Sequence, residues 1–123
     1  MIDVEEYNFV VDRILKLPAK DRRTDVLAVF VKLVGYVEQG TAEILLSRQQ
    51  FADQCGIQPR HVSTAMTVLC RLKAVRREQD GRSVTYYVNA NLIWNGDPER
   101  HKVEAAKSKR PSLQVIEGGA GHD

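Results

Sequence analysis

Arg60, Ser63, Thr64, Thr67 and Arg71 follow one another at steps of three, one, three and four residues. At 100° per residue, a helix from Pro59 to about Lys73 gathers these five on one side. Val62, Met66 and Leu69 then fall on the other, with Ala65 and Leu72 at its edge. An ordinary solvated face would more often carry Glu–Lys pairs. This one sets small hydroxyls between two guanidinium groups, side chains that exchange hydrogen bonds at short range and neutralise anions. That is the chemistry needed to read base edges and phosphates of a nucleic-acid duplex. Gln58, Pro59 and His61 belong to the end of the helix that would reach bases, and Arg48 opens the helix before it. Arg76, Arg77 and Arg82 extend the cationic set beyond it. Charge follows the same division: residues 58–82 carry six basic and two acidic side chains, against seven and nine in residues 1–57 and five of each in residues 83–123.

Other chemistries find little support. The chain has no glycine-rich phosphate loop, no Ser/His/Asp set and no metal-ligand spacing, and Glu5 and Glu6 lie in an ordinary polar stretch. Cys55 and Cys70 form no Cys-x-x-Cys pair and read as small apolar residues rather than as a redox switch or a metal site. His101 and His122 sit in polar sequence in which nothing suggests a cluster. The expectation is a binding protein that is not an enzyme and needs no metal or cofactor.

The elements that must position these side chains carry local signals. Ser47 and Gln50 make a capping box, so a short helix is predicted from Arg48, with Phe51, Ala52 and Cys55 inward. Gly56 permits the positive φ of a sharp turn, Ile57 plugs it, and Gln58 caps the next helix with Pro59 in its first turn. Asp80-Gly81 then predicts a two-residue type I′ hairpin. Pairing Gln79 with Arg82 puts Val75, Val84, Tyr86 and Val88 on one face. The arginines of this hairpin could reach phosphate or a narrow groove, or could merely keep a sheet edge soluble. Helix, glycine turn, hydroxyl-rich helix and basic hairpin predict a mainly α fold with a small β-wing, a winged helix-turn-helix.

Around this unit, at residues 43–96, the chain divides into a helical segment at 1–42, expected to serve dimerisation, and a basic, flexible tail at 97–123. Tyr7 to Leu17 suits a helix or a strand equally. A helix from Asp21 to Glu38 carries two apolar stripes, Leu27, Phe30, Val34 and Val37 beside Val26, Val29 and Leu33, so it is either packed on two sides within one chain or shared with a second copy. AEILL, 42–46, suits a short strand. Trp94 is expected in the core. A short helix is expected after Asp97, followed by Lys107, Lys109 and Arg110 and a disordered glycine-rich end at 113–123. No apolar run approaches a membrane span and the first residues do not read as a signal peptide, so a cytoplasmic protein is expected.

Two stretches bear a family resemblance. FADQCGIQPRHVSTAMTVLCRL, 51–72, resembles the helix-turn-helix of the RepL family of small plasmid replication proteins and of MarR-like regulators. YYVNANLIWNG, Tyr86 to Gly96, resembles the strand exit of that family, Val-Asn-Pro-Asn followed by Trp-x-Gly, with Ala90 where the family commonly has Pro. The likeness covers about residues 7–102. It implies duplex-DNA binding by a protein of plasmid or phage type, and no catalytic activity. The expected function is a sequence-specific double-stranded DNA-binding repressor or regulator carried on a mobile element, paired as a homodimer on a palindromic or repeated site. The alternatives are a plasmid replication initiator or copy-control protein, and a winged-helix adaptor for another protein.

Overall fold

The ambiguous first segment is a helix. In the computed structural model, which describes residues 1–94 and 96–112, α1 spans Val4–Leu15, and Asp3 caps it by accepting from the Glu6 N–H at 3.1 Å. That cap, with Glu5 and Glu6 at the positive end of the helix dipole, outweighs the β-preference of Val10 and Val11. Val10 and Ile14 are fully buried. A single 3-10 turn at Ala19–Asp21 and a left-handed Arg22 lead into α2, Arg23–Val34.

α2 is shorter than predicted. The chain leaves the helix at Gly35 because the following backbone pairs elsewhere: Leu45 N–H donates to Tyr36 O at 2.8 Å, Glu38 N–H to Glu43 O at 2.8 Å, and Val37 forms a β-bridge with Ile44. One apolar stripe is wholly covered within the chain and the other in part. Val26, Val29, Phe30 and Leu33 have no exposure, α2 packs on α1 and on the two helices that follow, and Tyr7 stacks obliquely on Phe30 at 5.3 Å. Leu27, Val34 and Val37 are half-buried against the same core, and Val31 of α2 is exposed.

α3, Arg48–Cys55, starts with the expected capping box: the Ser47 hydroxyl accepts from Gln50 N–H at 3.1 Å, and Gln50 Oε1 accepts from Ser47 N–H at 2.9 Å. Ser47→Ala should lower stability by about 1 kcal/mol, read as a shift of the urea midpoint with unchanged slope. Gly56 ends α3 at φ 68°, where an added Cβ would meet open space, so backbone conformation rather than crowding requires glycine there. α4, Pro59–Arg71, follows from an extended Gln58 with Pro59 in its first turn.

β1, Val75–Asp80, pairs antiparallel with β2, Ser83–Val88. The register differs from the predicted one: Asp80 faces Ser83 and Gln79 faces Val84, so the two-residue loop is Gly81-Arg82. Positive φ occurs at Gly81 and not at Arg82, the pattern of a type II′ rather than a type I′ turn. The slip along β2 is two residues, which preserves side-chain alternation, so Val75, Val84, Tyr86 and Val88 still share a face. The short run before α3 borders this hairpin, with Ile44 N–H donating to Tyr86 O and Val88 N–H to Ala42 O.

Residues 97–112 are not a flexible tail. α5, Pro98–Ala105, is capped by Asp97, which accepts from Glu99 N–H at 2.8 Å. Trp94 is buried in the core, as its size suggested; its Nε1–H donates to Asp97 O at 3.1 Å, and His101 stacks on it at 5.3 Å. The strap after α5 is held by asparagines leaving β2. Asn89 Nδ2 donates to Lys73 O at 2.8 Å and to Lys109 O at 2.7 Å, while Asn91 Nδ2 donates to the carbonyls of Ala105 and Ser108, each at 3.0 Å. Buried Glu6 of α1 receives the Ser112 N–H at 3.1 Å and its hydroxyl at 2.8 Å. Glu104 is buried with Oε2 lacking an aligned hydrogen bond, and Lys107 Nζ meets its charge at 2.8 Å. The glycine-rich end, 113–123, lies outside the described residues. The described chain thus has five α-helices and one two-stranded sheet, a mixed helical and β arrangement laid out like a winged helix.

Candidate nucleic-acid interface

α4 buries Val62, Ala65, Met66, Val68 and Leu69, and what remains is a polar surface. Arg60, Thr64 and Thr67 are exposed and Ser63 is half-buried. The hydroxyls are oriented by their own helix: Thr64 Oγ1 donates to Arg60 O and Thr67 Oγ1 to Ser63 O, both at 3.1 Å. With its proton used in this way, each threonine keeps lone pairs that can accept from a base amino group, and a methyl group that can pack on a thymine methyl. Arg48, at the first turn of α3, donates from Nη1 to Ser63 Oγ at 3.3 Å, which ties the two helices at the polar surface. Exposed Gln58 makes no side-chain capping bond, so its amide is not spent on the helix end.

Four of the expected residues stand apart. His61 is half-buried on the ridge it shares with Ala65 and Val68 rather than on the exposed arc. Pro59 is half-buried and serves the helix start. Arg71 leans to Asp21 of the 3-10 turn at 3.0 Å, an exposed ion pair that contributes little and can re-form elsewhere. Arg76 pairs with Glu78 and lies over the Tyr87 ring at 4.4 Å from its centroid. It belongs to the hairpin face opposite Arg77.

Arg77 stands across from Tyr86 in the ladder, on the face that looks toward α4. With Arg48, Ser63, Val84 and Tyr86 it borders a cleft of about 240 Å³ floored by Val62 and Met66. Arg82 occupies the exposed hairpin tip. Arg48 and Arg77 thus share a cleft with Ser63, while Arg60 is exposed on the helix arc and Arg82 at the hairpin tip. Burial pushes the thiols of Cys55 and Cys70 above their ordinary pKa, keeping them protonated near neutrality. Among the described residues no group of three His, Cys, Asp or Glu could hold a metal, and no helix is long and apolar enough to cross a membrane.

The sequence did not single out Lys73, and it put Lys107 and Lys109 in a basic tail that touches DNA backbone or is merely solvated. Lys73 ends α4 at φ 64°, a position usually advertised by glycine, so no sequence signal marked it. No family model, curated protein or solved structure matches the chain.

Proposed function

We propose that the chain is a winged helix-turn-helix protein that binds double-stranded DNA sequence-specifically, with α4 in the major groove and the β1–β2 hairpin as the wing. One observation carries the reading: the polar arc of Arg60, Ser63, Thr64 and Thr67 is displayed on a helix whose opposite face is buried. A major groove about 12 Å wide admits such a helix, and the arc lies in its N-terminal half, the part that meets base edges. Arg48, Gln58, Arg77 and Arg82 surround the arc with groups suited to phosphates.

The resemblance of residues 51–72 and 86–96 to RepL proteins and MarR-like regulators supports a role in a plasmid or other mobile element, as a repressor or in replication control. Pairing of two copies on a palindromic site, with half-sites about 34 Å apart, belongs to the same proposal. Sedimentation of the free and DNA-bound protein reads such pairing directly.

Mobility shift with random duplexes at two salt concentrations tests the core of the proposal. Salt-sensitive binding is expected, and its absence would favour a winged-helix adaptor for another protein. Mapping bound sites on the native replicon then separates promoter sites from repeats at an origin. Arg82→Ala should weaken all duplexes alike and lower the salt slope by about one, since a phosphate contact fixes position without carrying sequence. An unchanged slope would make the hairpin tip a purely structural turn.

A further inference from the structure

Lys73 occupies a place where lysine is costly. It follows the last residues of α4 in the left-handed region, φ 64°, and closes the helix end by a paired cap: its N–H donates to Cys70 O at 3.1 Å and the Ala74 N–H to Leu69 O at 3.0 Å. Glycine is the usual occupant because a Cβ strains that backbone. Strain kept at an exposed position points to a side chain retained for what it does.

The Lys73 side chain lines a cleft of about 580 Å³ between the end of α4, the base of the hairpin and the strap after α5. Thr67, Arg76, Arg77, Lys107 and Lys109 also line it, and among the described residues no acidic side chain does. Glu78 and Glu104 engage Arg76 and Lys107 without bordering the cleft. The strap is held in place there by Asn89 and Asn91 through the carbonyls of Lys109 and Ser108. Five cationic residues border this concavity, although the Arg76 side chain turns to the opposite hairpin face; the ammonium and guanidinium groups of the others are the natural partners of phosphoryl oxygens. Thr67 belongs to this cleft and to the exposed arc of α4, so the cleft opens beside the proposed DNA surface.

We propose that the cleft is a phosphoryl-binding site. Resting on the DNA-binding reading, its occupant is a backbone phosphate flanking the major-groove contacts. A free phosphorylated ligand would use the same chemistry, and the test separates the two.

Inorganic pyrophosphate is titrated into the ¹⁵N-labelled full chain without DNA, and duplex affinity is measured across salt concentrations, for the wild type, Lys73→Gly and Lys73→Gln. Both variants remove the ammonium, but only glycine relieves the strain. Lys73→Gly should therefore melt a few degrees higher, so that a binding loss shared with Lys73→Gln is not a folding loss. Pyrophosphate is expected to shift the amides of Lys73, Arg77 and Ser108 in the wild type and in neither variant. The salt slope should fall by about 0.9 in both variants, with affinity reduced about fivefold near ~0.15 M salt. A fall in slope supports a DNA phosphate even if pyrophosphate binds too weakly to register. Pyrophosphate shifts lost in the variants with an unchanged slope would support a phosphoryl site for a free ligand and overturn the DNA assignment. Neither effect overturns the site altogether. If the wild type binds no duplex, the pyrophosphate arm alone decides the cleft, so failure of the DNA reading is told apart from failure of the site.

Discussion

Asn89→Ala is expected to lower the unfolding free energy by about 3 kcal/mol. The side chain is 1% exposed. Its Nδ2 serves Lys73 O and Lys109 O, and its Oδ1 accepts from the Asn91 N–H at 2.9 Å and from Asn91 Nδ2 at 3.0 Å. Alanine deletes these bonds. Asn89→Asp should do no better, because a carboxylate would face two carbonyl oxygens in place of an amide that donates to both. Urea unfolding gives the stability, and amide exchange at 105–112 should accelerate together with it. A loss below about 0.5 kcal/mol would mean that the strap is held by something other than this asparagine.

Arg60→Ala should leave folding unchanged and cost about 1 to 3 kcal/mol of binding to the best operator, with relaxed preference at one base pair. Arg60 is exposed, and the bond it gives to Thr64 Oγ1 comes from its backbone carbonyl, which alanine retains. Its guanidinium is suited to the two acceptors on the major-groove edge of guanine, a contact that discriminates as well as attracts. Operator selection from a random pool, run on both proteins, reads the effect. A uniform weakening with preference intact would move Arg60 to the backbone, and no loss would take it out of the interface.

What the sequence revealed and what it hid follow one physical division. The capping box at Ser47, the turn at Gly56 and the Pro59 start were legible because each is a bond or dihedral set within a few residues. The apolar face of α4 was legible because it repeats with the helical period. The hairpin was half legible: Asp80-Gly81 marks a turn, but neighbouring registers share the same alternation, and contacts with residues 42–44 lie outside the hairpin's own pattern. The ion pair of Arg71 was not legible because its partner, Asp21, is 50 residues away. The strap was hidden more deeply. Asn89 and Asn91 hold it through main-chain oxygens, which every residue type possesses, so composition gave no sign that the basic stretch was docked.

The Glu6–Ser112 tie joins residues 106 apart and closes almost the whole described chain into a ring. Ring closure costs entropy that grows with the logarithm of the loop, and the cost is recovered only when the intervening chain has already condensed. The tie is thus a late event in assembly and an early one in opening. Asn89 links the same strap to the Lys73 carbonyl just after α4, so a molecule caught with its ring open would keep its helices and hairpin but lose the fixed end of the helix proposed to enter the groove.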